Sequence, residues 1–122
     1  MIIEFKNSTG KHFNVFSEQI MFVVQKSMTN DFIVGLRGGT QAPCLPGGTF
    51  STLYNLANNL PDGFEKFDTP DGGVTIINFE YLIFYTKEQL GVYGLMFEGN
   101  LGIAVKTMEQ DILDCLPEES LQ

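Results

Sequence analysis

Apolar and polar residues alternate along several short stretches of the chain, which is the pattern of β-strands with one buried face. The alternation is clearest at residues 32–36 and 93–97. An apolar run at residues 20–24 has the length of a strand, and a shorter run at residues 82–85 precedes an expected loop at 87–91. The chain is therefore predicted to be rich in short strands.

Turns and helices are predicted around these strands. Glycines at residues 37–40 and 98–101 indicate tight hairpins, because such turns need positive φ angles. After each hairpin and a further short strand, apolar residues recur at helical spacing. Each of these helices begins at a threonine N-cap, Thr49 in the first and Thr107 in the second, and a proline ends it. Thr107 also opens a capping-box pattern.

The order of these features occurs twice. Residues 10–24 align with residues 72–86 in their apolar positions and glycines, and the later strands and helices align when a few loop residues are left out. We therefore predict an α+β fold of two tandem antiparallel β-meander-plus-helix repeats, residues 1–61 and residues 62–122. The two repeats are expected to pack around a shared core in one compact unit.

Charge is unevenly divided between the two halves. The net charge is −8, but residues 1–61 contain four basic and three acidic side chains, whereas residues 62–122 contain three basic and twelve acidic ones. Nucleic acids and anionic membranes attract basic proteins. The composition therefore predicts no direct contact with nucleic acid and no membrane binding.

Few residues are suited to catalysis or metal binding. His12 is the only histidine and lies in a strand pattern, and Arg37 is the only arginine. Two distant cysteines and the lack of an export signal favour reduced thiols in the cytoplasm. No catalytic residue, metal site or cofactor is predicted, so we expect the protein not to be an enzyme.

One segment, residues 37–52, is a candidate ligand site. It contains two Gly-Gly-Thr units and a predicted helix start, and such features bind anions when backbone N–H groups are free. The alternative is that these residues only form a hairpin turn, a loop and an N-cap. The candidate ligand-binding residues are Arg37, Gly38, Gly39, Thr40, Gly47, Gly48, Thr49, Ser51 and Thr52.

The second half offers two further features. Aromatic residues at positions 79–85 and 93 indicate strands buried on both faces, which favours self-association into a homo-oligomer. Acidic residues crowd the last helix and the tail. Asp114, Glu118 and Glu119 form either a solvated face or a surface that imitates nucleic-acid phosphates.

Four successive segments of residues 1–60 carry a family resemblance: MIIEFKN, STGKHFNVFSEQIMFVV, FIVGLRGG and TFSTLYNL. This part of the chain resembles the FlbD flagellar-protein family, and residues 64–116 resemble it more loosely. LytTR-type β modules show a similar order of strands and turns along the sequence. The resemblance implies a small non-enzymatic β module and supplies no catalytic residues.

Together these features predict a homo-oligomeric, non-enzymatic binding or interaction protein, whose partner is a further copy, another protein or an anionic small molecule. One alternative is a protein that sequesters an anion or nucleotide signal, as small phage counter-defence proteins do. Another is an acidic inhibitor that imitates nucleic acid.

Overall fold

The computed structural model describes residues 2–7, 9–25, 32–44 and 63–116 of the chain. These residues form ten β-strands, one α-helix and three short 3₁₀ turns. The strands are β1 (Ile2–Lys6), β2 (His12–Phe16), β3 (Ile20–Gln25), β4 (Phe32–Leu36), β5 (Thr40–Cys44), β6 (Phe64–Asp68), β7 (Val74–Asn78), β8 (Phe84–Gln89), β9 (Val92–Phe97) and β10 (Leu101–Lys106). The helix, α1, spans Glu109–Cys115, and the 3₁₀ turns are Ser17–Gln19, Phe79–Tyr81 and Glu98–Asn100.

The strands are arranged in two antiparallel sheets. β1 and β2 form a two-stranded ribbon, and the other eight form one sheet in the order β5-β4-β3-β7-β6-β10-β9-β8. Within the large sheet, β6 and β10 share a single pair of residues, Asp68 opposite Lys106. Because this junction is so narrow, the sheet can curl there and bring β9 and β10 over one face of β3 and β7.

One hydrophobic core lies between the β1–β2 ribbon and a face of the large sheet. Alternate residues of the ribbon point into this core, so the residues between them face outward. The buried members of the core are Ile3, Phe5, Val15, Ile20, Val23, Phe32, Val34 and Ile76.

A second core lies on the opposite face of β3 and β7. Neighbouring residues Ile76 and Ile77 of β7 belong to different cores, as expected for the two faces of a strand. The rings of Phe22 in β3 and Phe97 in β9 have centroids 5.3 Å apart, so the curled part of the sheet packs directly on β3. The buried members are Met21, Phe22, Ile77, Phe79, Tyr93, Leu95, Phe97, Val105 and Ile112.

Two buried polar side chains of β7 strengthen its pairing with β3. The Thr75 hydroxyl donates to the Val23 carbonyl at 2.9 Å, and the Asn78 amide donates to the Ile20 carbonyl at 3.1 Å. Both side chains are buried, so these bonds satisfy groups that would otherwise be costly to remove from water. The link between the two halves of the chain is therefore polar as well as apolar.

The predicted fold class is wrong. The halves do repeat an order of hairpin, 3₁₀ turn and three-stranded meander. However, the β6–β7 hairpin is built into the centre of the large sheet, whereas the equivalent β1–β2 hairpin is stacked on its face. The chain has a mostly β fold with a curled sheet, and not an α+β pair of packed repeats. The predicted division between residues 61 and 62 lies outside the described residues and stays a prediction.

The two predicted helices have different outcomes. The helix predicted after Thr49 lies outside the described residues. The second helix is confirmed as α1, but its N-cap is Met108, one residue later than predicted, and no side chain caps it. The Thr107 hydroxyl donates instead to Asp111 Oδ2 at 2.6 Å, so the predicted capping box does not form.

Candidate functional site

The predicted ligand segment is only partly described. Residues 37–39 form the turn between β4 and β5, where Gly38 and Gly39 have φ angles of 92° and 86°, and Thr40 is the first residue of β5. The turn itself is therefore as predicted. Gly47, Gly48, Thr49, Ser51 and Thr52 lie outside the described residues. Ligand binding by this segment stays a prediction.

Arg37 makes contacts within the chain. Its Nε donates to Glu98 Oε1 at 2.9 Å, and its guanidinium carbon lies 4.4 Å from the centre of the Tyr81 ring. The Gly38 amide donates to the same Glu98 oxygen, and the Tyr81 hydroxyl donates to the Glu18 carbonyl. The Gly38 amide and Arg37 lower the pKa of Glu98, while hydrogen bonding to Tyr81 and Glu98 raises the pKa of Arg37. An anion at this turn would have to compete with the Glu98 carboxylate.

The turn also packs against a second hairpin turn. A Cβ added to Gly39 would lie 2.8 Å from the Cα of Gly99, which belongs to the turn between β9 and β10. The two backbones are therefore in direct contact, and both glycines have positive φ angles. We call this group of Arg37, Gly39, Tyr81, Glu98 and Gly99 the turn clasp. It has a structural function that the sequence pattern did not predict.

A different polar cluster lies at the end of the β1–β2 ribbon. The side-chain oxygen of Asn7 accepts hydrogen bonds from the Thr9 amide at 3.1 Å, the Thr9 hydroxyl at 2.7 Å and the Lys11 amide at 2.9 Å. The backbone of Asn7 is bonded to Gly10 and Lys11, each at 2.9 Å. These bonds connect Asn7 to the described residues on the other side of the turn.

The ribbon end is basic although the chain is acidic. Lys6 pairs with His12 across the ribbon, and Lys11 lies beside them on the turn. The Lys6 side chain crosses the turn, since its Cε lies 3.6 Å from a Cβ added to Gly10. Glu4 is the single acidic residue among residues 1–17, and its Oε1 lies 3.0 Å from His12 Nδ1.

Charge totals over each half of the chain conceal these lysines, so they were not among the predicted site residues. A signal was nevertheless present: two lysines and a histidine occur within residues 6–12 without an acidic residue. Such a local excess of positive charge differs from the composition of the whole chain. Counting net charge over windows of about seven residues would reveal this basic segment.

The acidic surface of the second half lies elsewhere. An open groove of about 510 Å³ between β6, β10 and α1 is lined by acidic and basic side chains together. Asp114, on the helix, lines this groove and accepts a hydrogen bond from Gln110 at 2.7 Å, whereas Glu118 and Glu119 lie outside the described residues. The charged lining residues are Glu65, Lys66, Asp68, Lys106, Asp111 and Asp114.

The described residues contain neither a metal-binding cluster nor a membrane-spanning helix. Within the described ranges, no group of three or more His, Cys, Asp or Glu side chains could hold a metal ion. In the same part of the chain, no helix is both long enough and apolar enough to cross a bilayer. The cytoplasmic location and the absence of enzymatic activity remain predictions.

Comparison with known proteins gives a match in structure and none in sequence. No family model and no curated protein matches the chain. Among solved structures, a LytTr DNA-binding domain from Bacillus cereus superposes with a TM-score of 0.66 at 13% sequence identity. The match covers 93% of this chain and 94% of that one. The chain has a LytTr-like fold. At this identity the likeness concerns the fold alone.

The family resemblance is confirmed in part. The similarity to LytTR-type β modules holds at the level of the fold, whereas none of the comparisons shows the FlbD family. The order of strands and turns along the sequence indicated a small β module, because strand spacing and turn positions are local features. It did not distinguish between the two families.

The LytTr-like fold contradicts the predicted function and partners. We expected an interaction protein without direct contact to nucleic acid, or a sequestering or inhibitory protein, but the solved domain that shares the fold is a DNA-binding domain. That expectation rested on charge totals for each half of the chain, which conceal the local excess of positive charge near Lys6 and Lys11. Nothing supports the predicted homo-oligomer either. Phe79 and Tyr93, two of the aromatic residues behind it, are buried within the second core of a single chain.

Proposed function

We propose that this chain is a non-enzymatic nucleic-acid-binding domain whose ligand is duplex DNA. The observation that carries the proposal is the LytTr-like fold, matched over nearly the full length of both chains. A match over 93% of this chain is not limited to a common hairpin. The proposal therefore concerns the described chain as a whole.

The charge of the chain determines how such binding would behave. Phosphate contacts by lysine and arginine release counterions, so affinity falls as salt concentration rises. The acidic second half repels DNA, but charges farther than about 10 Å from a bound phosphate are largely screened at 0.1 M salt. Binding to DNA of arbitrary sequence should then be weak, with a Kd between about 1 µM and about 100 µM.

Fluorescence anisotropy of a labelled duplex tests the proposal. A mixed-sequence duplex would be titrated with protein at about 50 mM salt and again at about 200 mM. We expect saturable binding that weakens at the higher salt concentration. Polyglutamate of similar length serves as the control polyanion and should not compete. Absence of binding to any sequence in a pool of random duplexes at the lower salt concentration would overturn the proposed function.

A further inference from the structure

We propose that the free end of the β1–β2 ribbon, which carries Lys6, Lys11 and His12, is the part of this chain that enters the major groove of duplex DNA. This inference rests on the proposed function and names the surface that carries it. It concerns the basic end defined above, with Lys6 and Lys11 as the residues that contact phosphate or guanine.

The shape of the ribbon suits the groove. The major groove of B-form DNA is about 12 Å wide and admits a two-stranded β-ribbon. β1 and β2 form a sheet of two strands that is not hydrogen-bonded to the eight-stranded sheet. Their inward residues, such as Ile3 and Phe5, are anchored in the first core, so the outward face and the turn are available to a ligand.

Hydrogen bonds link the residues on the two sides of the ribbon turn. Asn7 uses one side-chain oxygen to hold the amides of Thr9 and Lys11, and its backbone closes the turn. Ordering a flexible loop on binding costs free energy, and a turn already held in this way avoids much of that cost. Lys6 and Lys11 therefore flank a hydrogen-bonded turn.

The outward face carries groups that can read bases as well as phosphates. Lys6, His12 and Asn14 lie on this face, because the residues that alternate with them point into the core. Glu4 lies there as well, opposite Asn14 and 3.0 Å from His12. Lys6 and the neighbouring turn residue Lys11 are therefore the basic groups left for DNA. Lysine donates to the O6 and N7 atoms of guanine, and asparagine forms a paired contact with adenine. The ribbon thus combines charge with side chains capable of direct readout.

The other basic residues of the described chain are in less suitable places. Arg37 is engaged by Glu98 and Tyr81 in the turn clasp. Lys66 and Lys106 line the groove that also contains four acidic side chains. Lys87 lies on β8, at the edge of the sheet in the acidic half of the chain. A DNA phosphate near Arg37, Lys66 or Lys106 would meet a carboxylate, and one near Lys87 would lie in the half that carries twelve acidic side chains.

The test compares two variants of the whole chain by anisotropy. The first is the double variant Lys6→Gln/Lys11→Gln, and the second is Lys87→Gln, which removes an exposed lysine from the acidic half as a matched control. Each phosphate contact contributes about 0.9 to the slope of log affinity against log salt. We expect the double variant to bind at least about tenfold more weakly at low salt, with a slope smaller by about 1.8. The control should bind as the wild type does.

Two further ligands test the major groove itself. Duplex RNA has a deep and narrow major groove that side chains cannot enter, so it should bind more weakly than duplex DNA. DNA with glucosylated hydroxymethylcytosine has bulky groups in the major groove and should also bind more weakly. Equal affinity of the wild type for all three duplexes would overturn the assignment to this groove.

The outcomes separate the two proposals. If the wild type binds no duplex, the proposed function fails. If the wild type binds and the double variant, shown by circular dichroism to be folded, binds equally well, only the ribbon assignment fails. Loss of binding in the double variant together with retention in Lys87→Gln supports both.

Discussion

Gly39 and Gly99 lie backbone to backbone, although they belong to hairpin turns in different halves of the chain: a Cβ added to Gly99 would lie 2.5 Å from the Cα of Gly39. The residues around them complete the turn clasp through the Arg37–Glu98 ion pair. This contact brings the tip of the β4–β5 hairpin to the curled part of the sheet. Two short turns thus help to fix how far the sheet curls.

The first prediction is that Gly99→Ala destabilises the fold. The new methyl group would collide with the Gly39 backbone, and alanine would have to adopt a φ angle of 77°. Left-handed φ costs about 1–2 kcal/mol, and the collision adds to it, so we expect a total loss of about 2–4 kcal/mol. Urea denaturation measures the free energy of unfolding.

Gly38→Ala is the matched control for this prediction. Gly38 also has a positive φ angle, of 92°, but an added Cβ would meet nothing within 4 Å. The free energy of unfolding of Gly38→Ala should therefore fall only by the conformational cost of about 1–2 kcal/mol. Equal losses in the two variants would show that close contact between the turns contributes nothing to stability.

The second prediction concerns Gly35 and Phe22, which are paired across β4 and β3. A Cβ added to Gly35 would lie 2.3 Å from the Phe22 ring, which is fully buried, so the ring or the backbone would have to shift. Gly35→Ala should therefore cost about 1–3 kcal/mol through overpacking. Phe22→Leu, which leaves a partly empty space, should cost a similar amount.

The double variant should cost less than the sum of the two single changes, because the smaller leucine makes room for the methyl group. A coupling free energy of about 1 kcal/mol or more is expected for residues in direct contact. The double-mutant cycle is measured by urea denaturation of the wild type and three variants. Simple additivity would contradict the crowding described here.

Much of the local structure is predictable from sequence, whereas the pairing of the hairpins is not. The strands expected at residues 32–36 and 93–97 are present as β4 and β9, because alternation directly reports one buried face. β8 extends to Gln89, into residues predicted as a loop. It lies at the edge of the sheet, and polar side chains are accommodated there.

Placement of the hairpins depends on contacts between distant residues. The β1–β2 and β6–β7 hairpins have similar patterns, yet one stacks on the sheet and the other enters it. The difference follows from buried bonds such as that between Asn78 and Ile20, which no local pattern reports. Likewise, nothing near Arg37 in the sequence indicates its pairing with Glu98. The candidate ribbon end was visible only as a local excess of positive charge.

The third prediction uses the pKa of Glu98, which the Gly38 amide and Arg37 lower below the ordinary value of 4.5. A carboxyl group with a lowered pKa in the folded state stabilises the fold above its unfolded pKa, and this contribution is lost as pH falls through the folded value. Glu98→Gln should therefore lower the urea midpoint near neutral pH. The difference in urea midpoint between Glu98→Gln and the wild type should shrink as pH falls below 4.5.

Glu80→Gln provides the control, since Glu80 is an exposed residue of the neighbouring 3₁₀ turn and lies outside the turn clasp. Its effect on the urea midpoint should be small at every pH. A constant difference between Glu98→Gln and the wild type from neutral to acid pH would show that the Glu98 charge does not stabilise the clasp.

The fourth prediction concerns the reactivity of Cys115. Burial, followed by the negative charges of Glu65 and the nearby aspartates, raises the pKa of this thiol from 9.0 to about 11. The thiolate is the reactive form, so at pH 8 the folded protein should contain about 100-fold less of it than an ordinary cysteine would. In a Cys44→Ser variant, Cys115 is the single cysteine, and its alkylation by iodoacetamide can be followed by mass spectrometry.

The urea-unfolded variant supplies the reference rate. Above pH 9 the unfolded rate should level off, while the folded rate should continue to rise with pH until about pH 11. Partial exposure of the side chain means that access alone does not account for such a pH profile. Equal rates in the folded and unfolded chains at pH 8 would show that the packing of α1 against β6 and β10 does not shield the thiol.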